Sequence, residues 1–595
     1  MQAGNTVAEP DDFLTVAEAF AASAARWPKH AFLALLPETA AAYGLAPGEW
    51  TYAEAQARIA ALRAQYAAAG YGHGHRVGLL LDNRPAFFWH WFALNGLGVS
   101  VVPINSELRA AELEYLVGHA EIVLAVALPT RHAALRAAAQ AAGQPLALMA
   151  DGDVPPPALT APPRAGEPIT ALTECALLYT SGTTGRPKGC ILPNRYYLHA
   201  GRWYARCGGL AALRLASDEV DGDGALHQER MLTPLPLVHM NAMAYSTLAM
   251  VLTGGCLVVL DRFHPGSWWA SVRASRATVV HYLGVMPAML MSAPRPAGGR
   301  PPPVGVKELG SGPSFLEKAP PADDDRAHRV RFGFGAGCDR ALQAPFEARF
   351  GFPLLEAWAM TETGAGAVVI ANREPRDVGS NCFGREEADI EVRLVADDGG
   401  DAGTDQPGEL WVRHAGADPR FGFFAGYLKD DVATAEAWDQ GWFHTGDIVK
   451  RDAAGQLHFI DRRKNVIRRS GENISAVEVE GVLNQHPEVK ASAVAATPDA
   501  LRGDEVLACI VPHAPLPAGD AAAAEATEAL ARRIVTHALE RLAYYKAPGY
   551  VAFVDALPLT ASQKIARGEL KALAQALPGQ PGCIDTRAMK KRTGA

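Results

Sequence analysis

The sequence has no C-x-x-C pair. Its eight cysteines, at 175, 190, 207, 256, 338, 382, 509 and 583, stand singly. That excludes zinc-ribbon spacing and offers no disulfide framework. Long basic runs are also missing: 56 Lys and Arg stand against 64 Asp and Glu, for a formal net charge of −8. Nucleic-acid binding needs clustered cations to displace counterions, so no nucleic-acid partner is expected. The short run Lys590-Lys591-Arg592 reads as a solvated tail.

The opening residues MQAGNTVAEPDDF lack a basic segment followed by an apolar core, so a secretory leader is not expected. An uninterrupted apolar stretch of membrane-spanning length is missing too. The nearest, Ala242 to Leu260, contains Ser246, Thr247 and the pair Gly254-Gly255, and reads as a helix, a glycine turn and the buried strand CLVVL. No integral membrane segment and a cytoplasmic location are the expectations.

With 595 residues, 49% of them apolar, the chain is long enough for several buried cores. Helical spacing appears in VAEAFAASAARW and YAEAQARIAALRAQYAAAG. The strand-like run Val77 to Leu81, a helix ending near Gly96-Leu97-Gly98, and VSVVPIN follow. Such alternation predicts parallel strands with helical crossovers. The proline-rich DVPPPALTAPPRAGEP reads as a surface connection between two lobes, and PRPAGGRPPP near residue 300 as another loop. After Arg420 come hairpin-like segments. The pattern S-A-V-E from Ser475 opens a helix with Val479, Val482 and Leu483, and a later helix carries Leu530, Ile534, Ala538 and Leu542. A boundary is placed near Arg463-Lys464, with a small α+β domain after it.

The chemistry-bearing strings lie in order along the chain. LLYTSGTTGRPKG, residues 177 to 189, is an apolar strand feeding a loop of small and hydroxyl residues that ends at Lys188. Small residues let backbone N–H groups approach phosphate oxygens, and the lysine adds charge. It is not a Walker A loop, because Gly189 stands where Ser or Thr would meet magnesium. PLPLVHMN (234–241), GFGAG (333–337), EAWAMTETG (356–364), GWFHTGD (441–447), FIDRRKNVIRRSGENIS (459–475) and LPLTASQKIARGEL follow. Between Asp447 and Arg462 the segment DIVKRDAAGQLHFID reads as two strands around a turn near Ala454-Gly455, which brings those two residues together. Taken singly, each element has a plainer reading: a surface turn, a core histidine, a hairpin ion pair, a solvated lysine. Their order gives them weight.

This series resembles the adenylate-forming superfamily of acyl-CoA synthetases, peptide-synthetase adenylation domains and firefly-type luciferases, over nearly the whole chain. The YLG segment within ATVVHYLGVMPAML (277–290) is similar to the carnitine- and crotonobetaine-CoA ligase branch. The resemblance implies an α/β fold. A large N-terminal AMP-binding domain (1–463) of layered α/β sheets is followed by a small mobile α+β C-terminal domain (464–595). It also implies that a carboxylic acid is activated by ATP as acyl-AMP with release of pyrophosphate, then passed to CoA, with Mg²⁺ as cofactor.

The roles it implies are these. Thr180, Ser181, Gly182, Thr183, Thr184, Gly185 and Lys188 form the phosphate loop. Gly335, Ala336 and Gly337 form the adenine turn, and Trp358 stacks on the base. Asp447 and Arg462 hold ribose and phosphate, Thr361 contacts the α-phosphate, and Glu362 binds Mg²⁺. His239, Gly284, Val285, Met286 and Ala359 border the acyl pocket. Lys464 is the hinge, Arg468 and Gly471 line the thiol approach, and Lys564 is the catalytic lysine. Trp358 stands where the family has tyrosine, and Ala359 and Gln563 where it has glycine. A carrier-protein phosphopantetheine as acceptor, a luciferase-like oxygenase and a non-catalytic nucleotide-binding relative are the competing readings.

Overall fold

The computed structural model describes residues 13–180, 186–220, 224–292, 324–338, 340–396, 398–462, 466–516, 519, 521–558, 565 and 567–591. The proline-rich stretch near residue 300, the loop 181–185 and Lys464 and Lys564 lie outside them.

Short aliphatic runs form the interior strands, because a parallel sheet covered on both faces demands apolar residues without alternation. Cys256–Val259, the expected CLVVL strand, is buried at every position and pairs in parallel with Arg230–Thr233 on one side and Ala31–Leu35 on the other. The same sheet continues through Val279–Leu283, Phe332–Ala336 and Leu354–Trp358 to a short antiparallel edge, Val369–Ile370; Gly48–Thr51 closes the opposite edge. A second, seven-stranded sheet holds Arg76–Leu80 and Ser100–Pro103 beside Glu174–Thr180. The helix Pro85–Asn95 is buried at all eleven positions, which suits its sequence, PAFFWHWFALN, apolar but for His90 and Asn95, whose side chains are hydrogen-bonded to Tyr66 and Asn194. One contiguous apolar cluster includes this helix and residues of both sheets.

The proline-rich stretch does run over the surface, with Val154 78% exposed. It does not join two lobes. It leaves Ala147–Met149, an edge of the seven-stranded sheet, and returns to Glu174–Thr180 inside the same sheet. Composition predicts irregular backbone and cannot say where that backbone goes.

A third sheet is antiparallel. In it Trp442–Arg451 and Leu457–Arg462 form the expected hairpin, with Asp447 directly opposite Arg462. Strands from Val466 to Asp585 build a separate sheet with its own apolar cluster around Val479, Leu530, Ile534 and Ile510. Lys590 departs from the solvated-tail expectation: it is fully buried and paired with Glu505, which also accepts from Arg469 Nε at 2.9 Å. Burial pushes the Lys590 pKa down to about 7, offset only in part by Glu505 and reinforced by the Arg469 charge. Among the described residues no helix is long and apolar enough to cross a membrane.

The two parts of the chain touch. Lys546 Nζ is 2.7 Å from Glu112 of the large part and 2.8 Å from Glu478 of the small one, with all three side chains at most 8% exposed. Arg109 Nε donates to the Leu542 carbonyl at 3.3 Å.

Candidate active site

Strand Glu174–Thr180 ends where the loop 181–185 begins, and Lys188–Pro193 returns antiparallel with Lys188 opposite Thr180. The strand pair therefore fixes the loop's two ends. Lys188 Nζ sits 4.6 Å above the Tyr427 ring and 3.9 Å from Asp430. Tyr427 Oη donates to Glu362 Oε1 at 2.9 Å. Burial, then the adjoining Glu362 charge, push the Tyr427 hydroxyl far above its ordinary pKa, so it stays a donor. Glu362 is largely buried, and the Thr361 carbonyl accepts from Tyr196 Oη at 2.9 Å. A lysine, a phenol and a carboxylate thus form one short chain at the cavity wall.

The next layer is set by close backbone approach. Strands Val279–Leu283 and Phe332–Ala336 run parallel with Leu283 opposite Ala336. A Cβ on Gly284 would lie 1.7 Å from the Gly337 carbonyl oxygen, so no other residue fits there. Glu356 anchors this turn, accepting from Gly337 N–H at 2.6 Å, Cys338 N–H at 3.1 Å and Tyr282 Oη at 2.5 Å. Burial pushes the Glu356 carboxyl upward, partly offset by the Tyr282 hydroxyl and the two backbone N–H groups. Sequence reasoning passed over Glu356, although it begins the EAWAMTETG string.

Trp358 is buried, and its indole N–H donates to Asp447 Oδ2 at 2.9 Å. Together with Gly337, Cys338, Phe383 and Arg468 they border a cavity of about 490 Å³. A larger cavity, about 1410 Å³, is bordered by Thr180, Lys188, His239, Gly284, Gly335, Ala336, Gly337, Ala359, Thr361, Glu362, Arg468 and Gly471. Met286 differs from expectation: it is buried with its sulfur turned to Leu283 N–H at 3.5 Å, and Ala288 reaches the cavity instead. A helical turn points residues two apart in different directions. The side chains of Val285 and Arg462 are outside the described set.

The small part of the chain completes the site. Gly471 is at the tip of the hairpin joining Val466–Arg469 to Glu472–Ser475, with φ +85°. A Cβ there would fall 2.2 Å from Leu283 Cδ1, so the tip rests directly on the large domain's cavity wall. Beside it, Glu472 Oε2 lies 3.4 Å from His239 Nε2. Burial alone would lower the His239 pKa, but the Glu472 carboxylate outweighs it and the net shift is upward. Glu472 is itself held below the ordinary range, burial notwithstanding, by His239, then Lys546 and Tyr545. Arg468 packs over the Phe459 ring at 5.2 Å and borders both cavities.

A cleft with a cation, hard carboxylates and closely approached backbone suits a nucleotide, and its mouth is shared by two domains. The chain belongs to the AMP-binding enzyme family, which it matches over residues 20–428, with the AMP-binding enzyme C-terminal domain matched over 478–564. It is 30% identical to a sulfoacetate–CoA ligase of Cupriavidus necator, covering 95% of this chain and 99% of that one. It is 32% identical to a feruloyl-CoA synthase of Amycolatopsis, covering 88% and 93%. A crotonobetaine/carnitine–CoA ligase of Shigella flexneri is 27% identical, covering 84% and 89%. Among solved structures, o-succinylbenzoate CoA synthetase of Bacillus subtilis bound with a product analogue overlays with a TM-score of 0.71, at 22% identity over 93% of this chain and 98% of that one. The same enzyme in complex with AMP overlays at 0.57. The protein is an AMP-forming acid–thiol ligase with a large N-terminal and a small C-terminal domain.

Proposed function

We propose that the cleft activates a carboxylic acid with ATP and Mg²⁺ and transfers the acyl group to CoA, with residues 1–463 and 464–595 as the two domains. The observation that carries this is one continuous cavity. It joins the Lys188–Tyr427–Glu362 chain and the adenine-turn glycines to the His239–Glu472 contact, with Gly471 of the small domain at its wall.

A carboxylate oxygen leaves poorly. Attack on the α-phosphorus of ATP expels pyrophosphate and converts that oxygen into the leaving group AMP. Lys188 and Thr180 border the cavity where the phosphates would lie, at the ends of the glycine-rich loop, and Thr361 faces the α-phosphate. Asp447 grips the ribose with one oxygen already ordered by the Trp358 indole, and Arg462 supports it from the facing strand. Glu362 fits a hard cation, being a buried carboxylate at the cavity wall with Oε1 oriented by Tyr427. It would hold Mg²⁺, which supplies positive charge against the phosphate oxygens. Lys564 stabilises the negative charge that builds during adenylation.

The small domain stands with its Gly471 tip in the site, the placement suited to the second step. There Arg468 and Gly471 shape the thiol's approach, and movement about Lys464 exchanges this loop for Lys564.

Purified protein incubated with ATP, Mg²⁺, CoA and a panel of acids is expected to release pyrophosphate and form acyl-CoA, detected by mass. Lys564→Ala is expected to lower adenylation by about a hundredfold or more, in the range of lost transition-state charge stabilisation. Adenylate without a CoA product, in the presence of a phosphopantetheinylated carrier that is acylated, would replace CoA by that carrier. Tight ATP binding with no pyrophosphate from any acid would overturn the ligase reading.

A further inference from the structure

The helix following His239 is not wound as an ordinary α-helix. Residues Asn241–Ser246 are π-helical, with Ser246 Oγ donating to the Asn241 carbonyl at 3.2 Å and Thr247 Oγ1 to the Ala242 carbonyl at 2.8 Å. Such single wide turns cost stability and recur at functional sites, where they re-aim side chains. Here the turn carries Asn241 and Tyr245, both of which border the large cavity with Leu235, Val238, Phe334 and Ala288.

Behind Asn241 the hydrogen-bond network is specific. His281 is fully buried, with Nε2 3.0 Å from Tyr204 Oη and Nδ1 2.7 Å from Asn241 Oδ1 and 2.9 Å from Ser246 Oγ. Burial pushes His281 down to about 3 and Tyr204 far up, so the imidazole is neutral and the phenol is protonated. Tyr204 then donates to Nε2, and the Nδ1 proton faces Asn241 Oδ1. The amide is thereby oriented: its oxygen is occupied, and its Nδ2 donors have no partner among the described residues. Tyr245 is 2% exposed, and its hydroxyl likewise has no partner. Buried polar groups are seldom left unpaired in a native protein, so the buried Tyr245 hydroxyl, with the half-buried Asn241 amide beside it on the same cavity, marks a place for a ligand oxygen.

The immediate contacts of these two groups favour an uncharged ligand end. Tyr245 packs edge-on against Trp203 at 5.4 Å and beside Phe334 at 6.0 Å, while Asn241 contacts neutral His281. Lys188, Arg468 and His239 border the same cavity, but the groups in contact with Tyr245 and Asn241 carry no cation to receive a sulfonate or second carboxylate, and a buried unpaired charge is strongly disfavoured. An alkyl tail would satisfy the aromatic walls but strand two donors.

Resting on the ligase reading, we propose that the substrate is a ring-bearing carboxylic acid with an uncharged tail. Its ring lies among Tyr245 and Phe334, and an oxygen on its far end (hydroxyl, ether or carbonyl) is bound by Tyr245 Oη and Asn241 Nδ2. Asn241 and Tyr245 are the specificity residues; His281 and Tyr204 are positioning residues that set the amide.

The test uses the full chain with ATP, Mg²⁺ and CoA, reading pyrophosphate and acyl-CoA for five acids. These are a 3-arylpropenoic acid with and without ring hydroxyl or methoxy groups, a sulfonate-tailed acid, a trimethylammonium-tailed acid and an unbranched alkyl acid. The ring-oxygenated acid is expected to have the highest kcat/KM, about tenfold or more above the bare ring, since a site built for a hydrogen bond rejects the analogue lacking it. In Tyr245→Phe, and separately in Asn241→Leu, that ratio is expected to collapse toward one. Preference for a charged or alkyl acid, or a ratio that both variants leave standing, overturns the substrate class while the ligase stands. Absence of acid-dependent pyrophosphate with these five, while other acids of a wider panel give it, overturns the substrate class alone; absence with every acid, with ATP still bound, removes the ligase reading as well.

Discussion

At the scale of single residues, Glu356 ties together the ends of three neighbouring strands of the large sheet. Its carboxylate accepts from Tyr282, the residue before Leu283 of the cavity wall, and from the N–H groups of Gly337 and Cys338 at the end of the strand Phe332–Ala336. Glutamine has nearly the same shape, but its amide nitrogen would turn a donor toward donors. Leaving a buried donor unsatisfied costs about 1–3 kcal/mol. Glu356→Gln is therefore expected to raise the KM for ATP by roughly tenfold, with a smaller change in the KM for the acid. Initial rates of pyrophosphate release across both concentrations will separate the two; an acid-selective effect would place Glu356 with the acyl pocket instead.

At the scale of elements, the helix Ala110–Ala120 supplies Glu112, and the turn after Ala521–Arg541 supplies Lys546. Glu112 and Glu478 clasp the ammonium from both domains and drive the Lys546 pKa upward despite burial, which alone would lower it. Removing one partner of a buried charge group costs about 3–5 kcal/mol when nothing replaces it. Glu112 belongs to the clasp only while the domains are docked in this placement. Glu112→Gln is expected to slow thioester formation at least tenfold, taking a conservative share of that cost, and to spare acyl-adenylate formation. Single-turnover measurements resolve the two steps, and equal slowing of both would show that the clasp does not belong to the second step alone.

Across the whole molecule, the His239–Glu472 contact makes domain docking pH-dependent. His239 titrates above its ordinary value when docked, so its contribution is complete below about 6.5, the reference value for histidine, and is lost as pH rises through the raised value. Glu472 titrates below its ordinary value, so its contribution holds above the normal carboxylate range and is lost as pH falls through the lowered value. Lys546 and Tyr545 also face Glu472 and keep it ionised through the neutral range. Docking should accordingly loosen on the alkaline side, and small-angle scattering across neutral to alkaline pH will read it directly. His239→Gln is expected to flatten that dependence; an unchanged profile would assign it to another group.

The order of motifs from residue 177 to 564, the sheet-forming runs and the hairpin that sets Asp447 opposite Arg462 were all legible in the sequence, because each is a local string with its own backbone geometry. The family and its chemistry followed from that order. Contacts between distant strings were not legible. Lys546 meets Glu112 across 434 positions, Tyr282 meets Glu356 across 74, and His281 orients Asn241 across 40. Nothing in ATVVHYLG says that its histidine will be buried and neutral behind an amide, and nothing in KKRTGA says that Lys590 will be drawn onto Glu505. Local propensity and steric fit write strands, turns and glycine-bound loops into the chain. The pairing and burial of polar groups arise only once the packed sheets exclude water, because only then does an unmet hydrogen bond or charge cost free energy.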